Sequence, residues 1–309
     1  MTALEPGEAQ GAPEARADAP LDDHVPPLRR FFQELWASPK GMTGFVCMAV
    51  IIIVAIFAPL LLPADPTEQI IKNRFMPPVF AGGEWPHFLG ADNLGRDIFS
   101  RVILGTQTSV AVGAFVVMLA LVVGSALGAI AGYFGGLVDS FIMRLTDFQL
   151  SFPFILLAII FMAIFGPGFT SLVIALAVAI WVNYARLVRG ETLKLRELEF
   201  IQAARSIGVR HSVIILRHVV PNVLPSIIVM ATLDIAFVII FEAALSFLGL
   251  GIQPPTPSWG VMISDGRNYM FESLWMTLGP GLAILVTAVA INLFGDFLRD
   301  TYDPRLAGL

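Results

Sequence analysis

Residues 102–138, VILGTQTSVAVGAFVVMLALVVGSALGAIAGYFGGLV, form a run of 37 residues without a charged side chain. A helix needs about 20 apolar residues to cross a bilayer, so this run is long enough for a membrane span. Further uncharged runs cover residues 41–64, 148–185 and 273–295. Only 14% of the 309 residues are charged, against about 25% in a typical soluble domain. The sequence therefore predicts a polytopic membrane protein and excludes a soluble globular enzyme.

Six membrane spans in an all-α fold follow from the positions of the uncharged runs. The run 148–185 is too long for one helix, and the turn signal Phe165-Gly166-Pro167-Gly168 divides it into two. Another apolar stretch, 223–250, is interrupted only by Asp234 and Glu242. The predicted spans are about 42–63, 106–133, 149–165, 170–189, 223–250 and 274–297.

Both ends of the chain are predicted to lie on the cytoplasmic side. Residues 1–27 are rich in Ala, Pro and acidic residues, a composition typical of a disordered tail. Residues 28–40 predict a short interfacial helix, and residues 41–309 form the membrane domain. With both termini inside, the cytoplasmic segments hold 14 of the 19 Lys and Arg residues. This excess agrees with the positive charge of cytoplasmic loops in membrane proteins.

Two local patterns accompany the second span. Residues 92–104 repeat apolar side chains at four-residue spacing, which predicts an amphipathic helix on the outer surface. That helix is interpreted as a structural elbow or, alternatively, as a docking surface for an external partner. The repeat Gly124-x3-Gly128-x3-Gly132 lets helix backbones approach closely. We expect it to pack within the chain, and an interface with another membrane subunit is the alternative.

The cytoplasmic loop 190–222 belongs to the most polar stretch outside the N-terminal tail. Seven cations and three acids fall between residues 186 and 217. The helical pattern stops near Gly208, since glycine adopts the left-handed conformation of a helix C-terminal cap without steric cost. A second short helix is predicted at about 211–219, ending before Pro221. Composition alone favours an ordinary solvated connecting helix.

A motif in this loop nevertheless resembles a known signature. Gln202-Ala203-Ala204 is followed after three residues by Gly208, and after nine more by His218-Val219-Val220-Pro221. Membrane subunits of binding-protein-dependent ABC importers carry Glu-Ala-Ala, Gly and Ile-x-Leu-Pro at the same spacing. Gln202 replaces the acid of that signature, and the stretch RHVVPN is similar to the variant found in peptide and nickel importers.

Three more blocks resemble the same family in the same order along the chain. They are LGADNLGRDIFSR at 89–101, LSFLGLGIQPPTPSWG at 245–260 and FGDFLRDTYDPRL at 294–306. The chain thus resembles the second, C-type permease of dipeptide, oligopeptide, glutathione or nickel importers. The resemblance implies the type I ABC importer permease fold and alternating access. The sequences of the matching blocks favour glutathione or short peptides as the substrate.

The resemblance also implies partners in a bacterial cytoplasmic (inner) membrane. These are a homologous second permease, two cytoplasmic ATPase subunits that bind ATP and Mg, and an extracytoplasmic solute-binding protein. Membrane lipid surrounds the permeases. The chain itself has no phosphate-binding G-x-x-x-x-G-K-[ST] loop, so no cofactor and no catalysis are assigned to it. The residues implied in coupling to the ATPases are Glu199, Gln202, Ala203, Ala204, Gly208 and Pro221.

Three polar residues within spans are candidates for the translocation path, namely Asp234, Glu242 and Asn292. Asp234 and Glu242 lie eight residues apart, and we expect them to share an inward face that contacts a peptide amine or a cation. A structural hydrogen bond is the alternative for both, and a helix–helix hydrogen bond is favoured for Asn292.

The outer loop QPPTPSWG supplies the last candidates, Gln253, Pro254, Pro255 and Trp259. The prolines make this loop rigid because each fixes φ. Trp259 is a residue type enriched at membrane–water interfaces. The prediction is that the loop forms part of an outer gate or of the binding-protein contact.

Other functions are less well supported by the sequence. The single cysteine and four scattered histidines predict no permanent metal site, although nickel or another small solute stays an alternative substrate. A net charge of −5 argues against a nucleic-acid partner. An intramembrane enzyme would need paired catalytic groups, and Asp234 and Glu242 are too far apart to share a proton. An ungated channel or an exporter would not need the coupling signature.

Overall fold

The computed structural model describes residues 27–302. Apart from Pro27, the predicted tail 1–27 lies outside the described residues, as do residues 303–309 at the end of the C-terminal block. The described part is almost entirely helical, as predicted, and an isolated antiparallel bridge between Ala91 and Asp97 is its one β-type contact.

Most helices follow one another with short connections, but a long segment, 58–97, separates the second α-helix from the third. The α-helices are α1 Pro27–Ala37, α2 Pro39–Phe57, α3 Ile98–Phe134, α4 Gly136–Leu150, α5 Phe154–Phe165, α6 Phe169–Leu195, α7 Glu199–Ser206, α8 His211–Ile214, α9 Val220–Phe247, α10 Trp259–Gly266 and α11 Trp275–Tyr302. Short 3-10 turns lie at Ala58–Leu60, Ile71–Asn73, Val79–Ala81 and Arg267–Tyr269, and a π-helical turn at Ile215–Val219.

Within residues 27–302, five helical stretches are long and apolar enough to cross a membrane. They are Pro39–Leu60, Ile98–Phe134, Phe169–Leu195, His211–Phe247 and Trp275–Tyr302. A sixth span is obtained only if α4 and α5 are taken together, and these two helices meet at an angle of 87°.

The predicted third span, 149–165, is therefore not one straight helix. Its second part, α5, has 12 residues, which corresponds to about 18 Å of helix and is shorter than the bilayer core of about 30 Å. Its first part belongs to α4, which carries charged residues and ends at Leu150. The chain turns at 151–153 because Pro153 cannot continue a helix and ends α4.

The predicted interfacial helix 28–40 is interrupted before its end. α1 stops at Ala37, and Ser38 then caps α2 by accepting a hydrogen bond from the Gly41 amide at 3.1 Å. Pro39 at the start of α2 suits this arrangement, because the first helical turn has no partner for an amide hydrogen. Leu35 of α1 is buried against Phe297 of α11, so α1 is anchored to the membrane domain.

The second span begins earlier than predicted, so that it includes the second half of the expected outer helix 92–104. Asp97 is the N-cap of α3 and accepts a hydrogen bond from the Ser100 amide at 2.7 Å. The helix then runs without a break from Ile98 to Phe134. Residues 92–97 instead form a turn, because Asp92 accepts hydrogen bonds from the amides of Leu94 and Arg96.

The glycine repeat packs within the chain, as expected. α3 makes its most extensive contact with α6, and a side chain at Gly124 or Gly128 would collide with the backbone oxygens of Trp181 and Ala185, respectively. The two helices therefore approach so closely that only hydrogen is accommodated at these positions. The α3–α6 pair forms the centre of the largest buried apolar cluster.

Candidate functional site

The loop 190–222, predicted to be cytoplasmic, contains a short helix, α7, anchored by one side chain. Ile201 is fully buried, whereas Phe200, Ala203 and Ile207 are exposed. Gly208 has φ of +80° and ends the helix by a left-handed cap, as predicted. An apolar ridge is thus presented on a charged, exposed loop, and such ridges mark contact surfaces.

The other residues of the predicted coupling motif lie on or close to this loop surface. Glu199, Gln202 and Pro221 are exposed and Ala204 is half-buried. The Gln202 side chain donates a hydrogen bond to the Glu197 carbonyl at 3.0 Å, so it braces the start of α7. The structure thus brings the motif residues of α7 together on one exposed segment.

The second short helix of the loop does not end before Pro221, contrary to the sequence expectation. α8 continues through the π-helical turn Ile215–Val219 into α9, so that His211–Phe247 is one helical stretch. Pro221, the second residue of α9, lies just after this π-helical turn, where the hydrogen-bond pattern changes from π-helical to α-helical. A π-helical turn is frequent at functional positions of helices.

Tyr133 at the end of α3 connects the loop to the membrane helices. Its hydroxyl forms a hydrogen bond of 2.8 Å with His211 Nδ1. The Arg205 guanidinium stands over its ring, 4.8 Å from the centroid. Arg196, which directly follows α6, donates a hydrogen bond to the Gly132 carbonyl of α3 at 3.2 Å. The contacts of Tyr133 join α7 and the start of α8 to the end of α3.

Glu242 is fully buried and bound by three serine hydroxyls. Ser246 and Ser258 donate to Oε1 at 2.8 and 2.9 Å, and Ser109 donates to Oε2 at 3.1 Å. The side chain thus joins α3 and α9 to the loop 248–258, and it is sealed from solvent. The structural alternative considered for Glu242 agrees with these contacts.

Asp234 and Asn292 occupy different surroundings from Glu242. Asp234 is half-buried and lies beside the Tyr184 hydroxyl of α6. The expected common face with Glu242 is absent, since eight residues correspond to a rotation of about 80° around a helix. Asn292 is exposed on α11, so the structure does not bring the three predicted path residues together.

The predicted residues of the outer loop differ in their exposure to solvent. Trp259 is only 1% exposed, and its indole donates a hydrogen bond to the Val102 carbonyl at 3.1 Å. The expected interfacial position of Trp259 is therefore wrong, because the start of α10 is packed against α3. Pro254 and Pro255 are exposed, as is Gln253, whose side chain donates to the Gly251 carbonyl.

A buried ionic cluster behind this loop has no counterpart in the sequence predictions. Asp92 lies 2.6 Å from Arg96 Nε and 3.7 Å from Arg101 Nε, and Asp265 of α10 lies 3.5 and 3.7 Å from the same two arginines. Burial raises the pKa of Asp265, and the two arginines oppose this shift. The sequence offered one sign of this cluster, namely two arginines, Arg96 and Arg101, five residues apart and next to a predicted membrane span.

Comparisons with known proteins agree with this architecture. Residues 124–308 match the family described as binding-protein-dependent transport system inner membrane component, and residues 26–78 match the N-terminal TM domain of oligopeptide transport permease C. The chain belongs to this family of membrane components of binding-protein-dependent transport systems.

Individual relatives are similar over most of their length. The dipeptide transport system permease protein DppC of Alkalihalophilus pseudofirmus is 41% identical over 296 residues, 95% of this chain and 96% of the relative. The glutathione transport system permease protein GsiD of Pectobacterium atrosepticum is 41% identical over 280 residues, 91% and 92% of the two chains.

A solved structure supports the fold class. A chain of the inward-facing MetNI methionine ABC transporter superposes with a TM-score of 0.52 at 18% sequence identity, covering 65% of this chain and 96% of that chain. This likeness shows the type I ABC importer permease fold.

Proposed function

We propose that this chain forms half of the translocation path of an ATP-driven importer for di- or oligopeptides, with glutathione among the candidate substrates. The other half is a homologous second permease. Two ATPase subunits bind ATP and Mg and drive alternating access, and an extracytoplasmic solute-binding protein delivers the substrate. The assembly lies in a bacterial inner membrane.

The observation that carries this proposal is the anchored, exposed helix α7. It presents Phe200 and Ile207 outward, while Arg205 and the following His211 both contact Tyr133 of α3. A partner that grips α7 can therefore move a 37-residue helix, since packed helices move as rigid elements. ATP acts through such a contact only if it favours one conformation of the assembly over another.

Peptides are the favoured substrate because two relatives at 41% identity are named dipeptide and glutathione transport permeases. Glutathione and dipeptides share a free ammonium group, carboxylates and amide bonds. We propose that the solute-binding protein selects among such compounds, and that this chain conducts what is delivered.

The coupling role is tested by Gly208→Asp in the reconstituted complex with its partner permease, ATPases and binding protein. An aspartate at φ +80° is strained and adds a negative charge to the ridge. We expect the complex to assemble and its basal ATP hydrolysis to persist, while substrate no longer stimulates hydrolysis.

Gly82→Asp is the matched control, because Gly82 also caps a helical turn in the left-handed conformation, with φ of +98° and no atom near its missing side chain. It lies in the segment between α2 and α3, far along the chain from α7. Normal stimulation in Gly208→Asp, or equal loss in both variants, would refute the role of α7.

Substrate identity is tested by competition for uptake into proteoliposomes. Unlabelled dipeptide or glutathione should reduce uptake of labelled dipeptide, whereas nickel ions should not. Uptake of labelled nickel ions without uptake of labelled dipeptide would instead support the small-solute alternative.

A further inference from the structure

A cavity of about 410 Å³ lies where the start of α2 meets the C-terminal end of α11. Its wall contains two cations, Lys40 of α2 and Arg299 of α11, and two anions, Asp296 and Asp300 of α11. All four residues are exposed, and no ion pair described within residues 27–302 includes any of them. These charges are therefore available to a ligand that carries both a cation and an anion.

The surface of α11 that leads to this cavity is apolar. Leu282, Val289 and Asp296 are seven residues apart, which places them on one side of the helix. Leu282, Leu285 and Val289 are about half exposed, so the described part of the chain leaves them uncovered. Leu293 continues this apolar stripe into the cavity wall. An exposed apolar stripe that ends in a charged cavity matches the shape of a phospholipid, whose acyl chains end in a charged headgroup.

A tryptophan beside the cavity indicates that the cavity lies at the membrane surface. Trp36 of α1 is 77% exposed, and tryptophan is enriched at the level of the lipid headgroups. Ser38, two residues later, is part of the cavity wall. The helix α1 is held at this position, because Leu35 is buried against Phe297 of α11. The cavity is therefore placed to receive the headgroup of a lipid whose acyl chains lie along α11.

The charges of the cavity distinguish between lipid headgroups. Two carboxylates disfavour a headgroup that carries only a phosphate, because like charges repel each other. They favour a headgroup with a primary ammonium group, whose three N–H bonds can donate charge-assisted hydrogen bonds to the carboxylates. A trimethylammonium group has no N–H bond and cannot form them. Lys40 and Arg299 supply the donors that a phosphate requires.

We propose that this cavity binds a phospholipid whose headgroup combines a phosphate with a primary ammonium group. Lys40 and Arg299 pair with the phosphate, and Asp296 and Asp300 pair with the ammonium group. An acyl chain lies along the apolar stripe of α11. The site goes beyond the proposed transport function and does not depend on which substrate is imported.

The test compares three lipids with identical acyl chains on the complete transporter complex in detergent. Phosphatidylethanolamine carries both groups, phosphatidylcholine lacks the N–H donors and phosphatidylglycerol lacks the cation. Native mass spectrometry counts the lipids bound per complex at each lipid concentration. The double variant Asp296→Asn/Asp300→Asn should raise the Kd of one phosphatidylethanolamine per copy of this chain about tenfold, as expected for the loss of a hydrogen bond to a charged group. The same variant should bind phosphatidylglycerol no more weakly than the wild type does.

Variants of the two cations should give a different pattern. Lys40→Gln combined with Arg299→Gln should weaken the binding of all three lipids at this site, because all three carry the phosphate. Glu272→Gln is the matched control, since Glu272 is an exposed carboxylate just before the opposite end of α11. It should leave the number of bound lipids unchanged for all three.

Three results would overturn the lipid site. The first is an equal effect of Asp296→Asn/Asp300→Asn and Glu272→Gln on phosphatidylethanolamine binding, including no effect of either. The second is displacement of the lipid by water-soluble glycerophosphoethanolamine, because the ligand would then be a soluble zwitterion that does not use the apolar stripe. The third is release of the second permease by the double variant, since these charges would then belong to a subunit contact.

Discussion

Ser109 on α3 donates a hydrogen bond of 3.1 Å to Glu242 on α9, although the two residues are 133 positions apart in the chain. The same serine accepts the backbone amide of Trp259 at 3.3 Å. Ser258, which also donates to Glu242, caps α10 by accepting the Val261 amide. One buried carboxylate thus fixes the outer loop against two membrane helices, a position from which that loop can respond to their movement.

Replacing Glu242 with alanine should strongly destabilise the protein. The serine hydroxyls would lose their acceptor while staying buried, which is expected to cost on the order of 3 kcal/mol. Glu242→Gln retains one acceptor oxygen and should cost less. The measurement is the thermal unfolding midpoint of the purified complex in detergent.

Glu272→Gln is a suitable control, because Glu272 is an exposed carboxylate on the outer segment before α11. It should leave the midpoint unchanged. If Glu242→Ala were as stable as the control, the hydroxyl contacts would not be important for the position of the loop.

The close approach of α3 and α6 predicts opposite effects for two glycines. Gly128→Ala would place a methyl group against the Ala185 carbonyl and force the helices apart, at an expected cost of about 1–3 kcal/mol. Gly190→Ala introduces the same group where nothing lies within 4 Å, and helix propensity should make it neutral or stabilising by up to about 1 kcal/mol.

Unfolding of both variants in the same detergent, followed by loss of helical circular dichroism, measures this difference. A common midpoint for Gly128→Ala and Gly190→Ala would contradict the packing observed between the two helices.

Charge and hydropathy predicted the spans with long apolar runs, because burial in lipid leaves a pattern along a single helix. They could not predict the bend between α4 and α5, since the uncharged run 148–185 continues through Pro153. Nor could they place Glu242, because two of its three serine partners, Ser109 and Ser258, lie outside its own helix. A residue that is polar within a span is visible in the sequence, but its partners depend on the tertiary fold.

The helix α7 and its glycine cap were predictable for a different reason. The glycine cap and the small residues are local features, so their spacing can be recognised in the sequence without knowledge of the fold. The contacts of Tyr133 with Arg205 and His211 join segments more than 70 residues apart, and no periodicity of either segment indicates them.

Substitutions of Trp259 and Pro254 should distinguish effects on folding stability from effects on binding-protein docking. Trp259→Ala removes a fully buried indole and should cost about 3–5 kcal/mol, whereas Trp259→Phe loses mainly the hydrogen bond to Val102 and should cost about 1 kcal/mol. Pro254→Ala changes an exposed residue and should leave the unfolding midpoint unchanged.

Binding-protein docking, measured by surface plasmon resonance on the immobilised complex, supplies the second readout. We expect Pro254→Ala to weaken docking while Trp259→Phe leaves it intact. If only Trp259→Phe weakened docking, the exposed part of the loop would not be the contact.

Asp92 and Asp265 approach the same two arginines but should respond differently to neutralisation. Asp92 is buried and accepts the amides of Leu94 and Arg96 as well as the Arg96 side chain. Asp92→Asn should therefore lower stability at pH 7 by about 2–3 kcal/mol. Asp265 makes only long contacts, and burial raises its pKa in the folded protein.

The sign of the pH dependence follows from that shift. A carboxyl whose pKa is higher in the folded protein favours folding below its unfolded pKa of about 3.9. This contribution is lost as the pH rises through the folded pKa, because the unfolded protein then binds fewer protons than the folded one. The Asp265→Asn variant has no carboxyl at this position, so it does not lose stability in this way. The stability of the variant relative to the wild type should therefore increase between about pH 4 and pH 7. Urea or thermal unfolding of both proteins at several pH values measures the difference, and a decrease over that range would show that pairing with Arg96 and Arg101 outweighs burial.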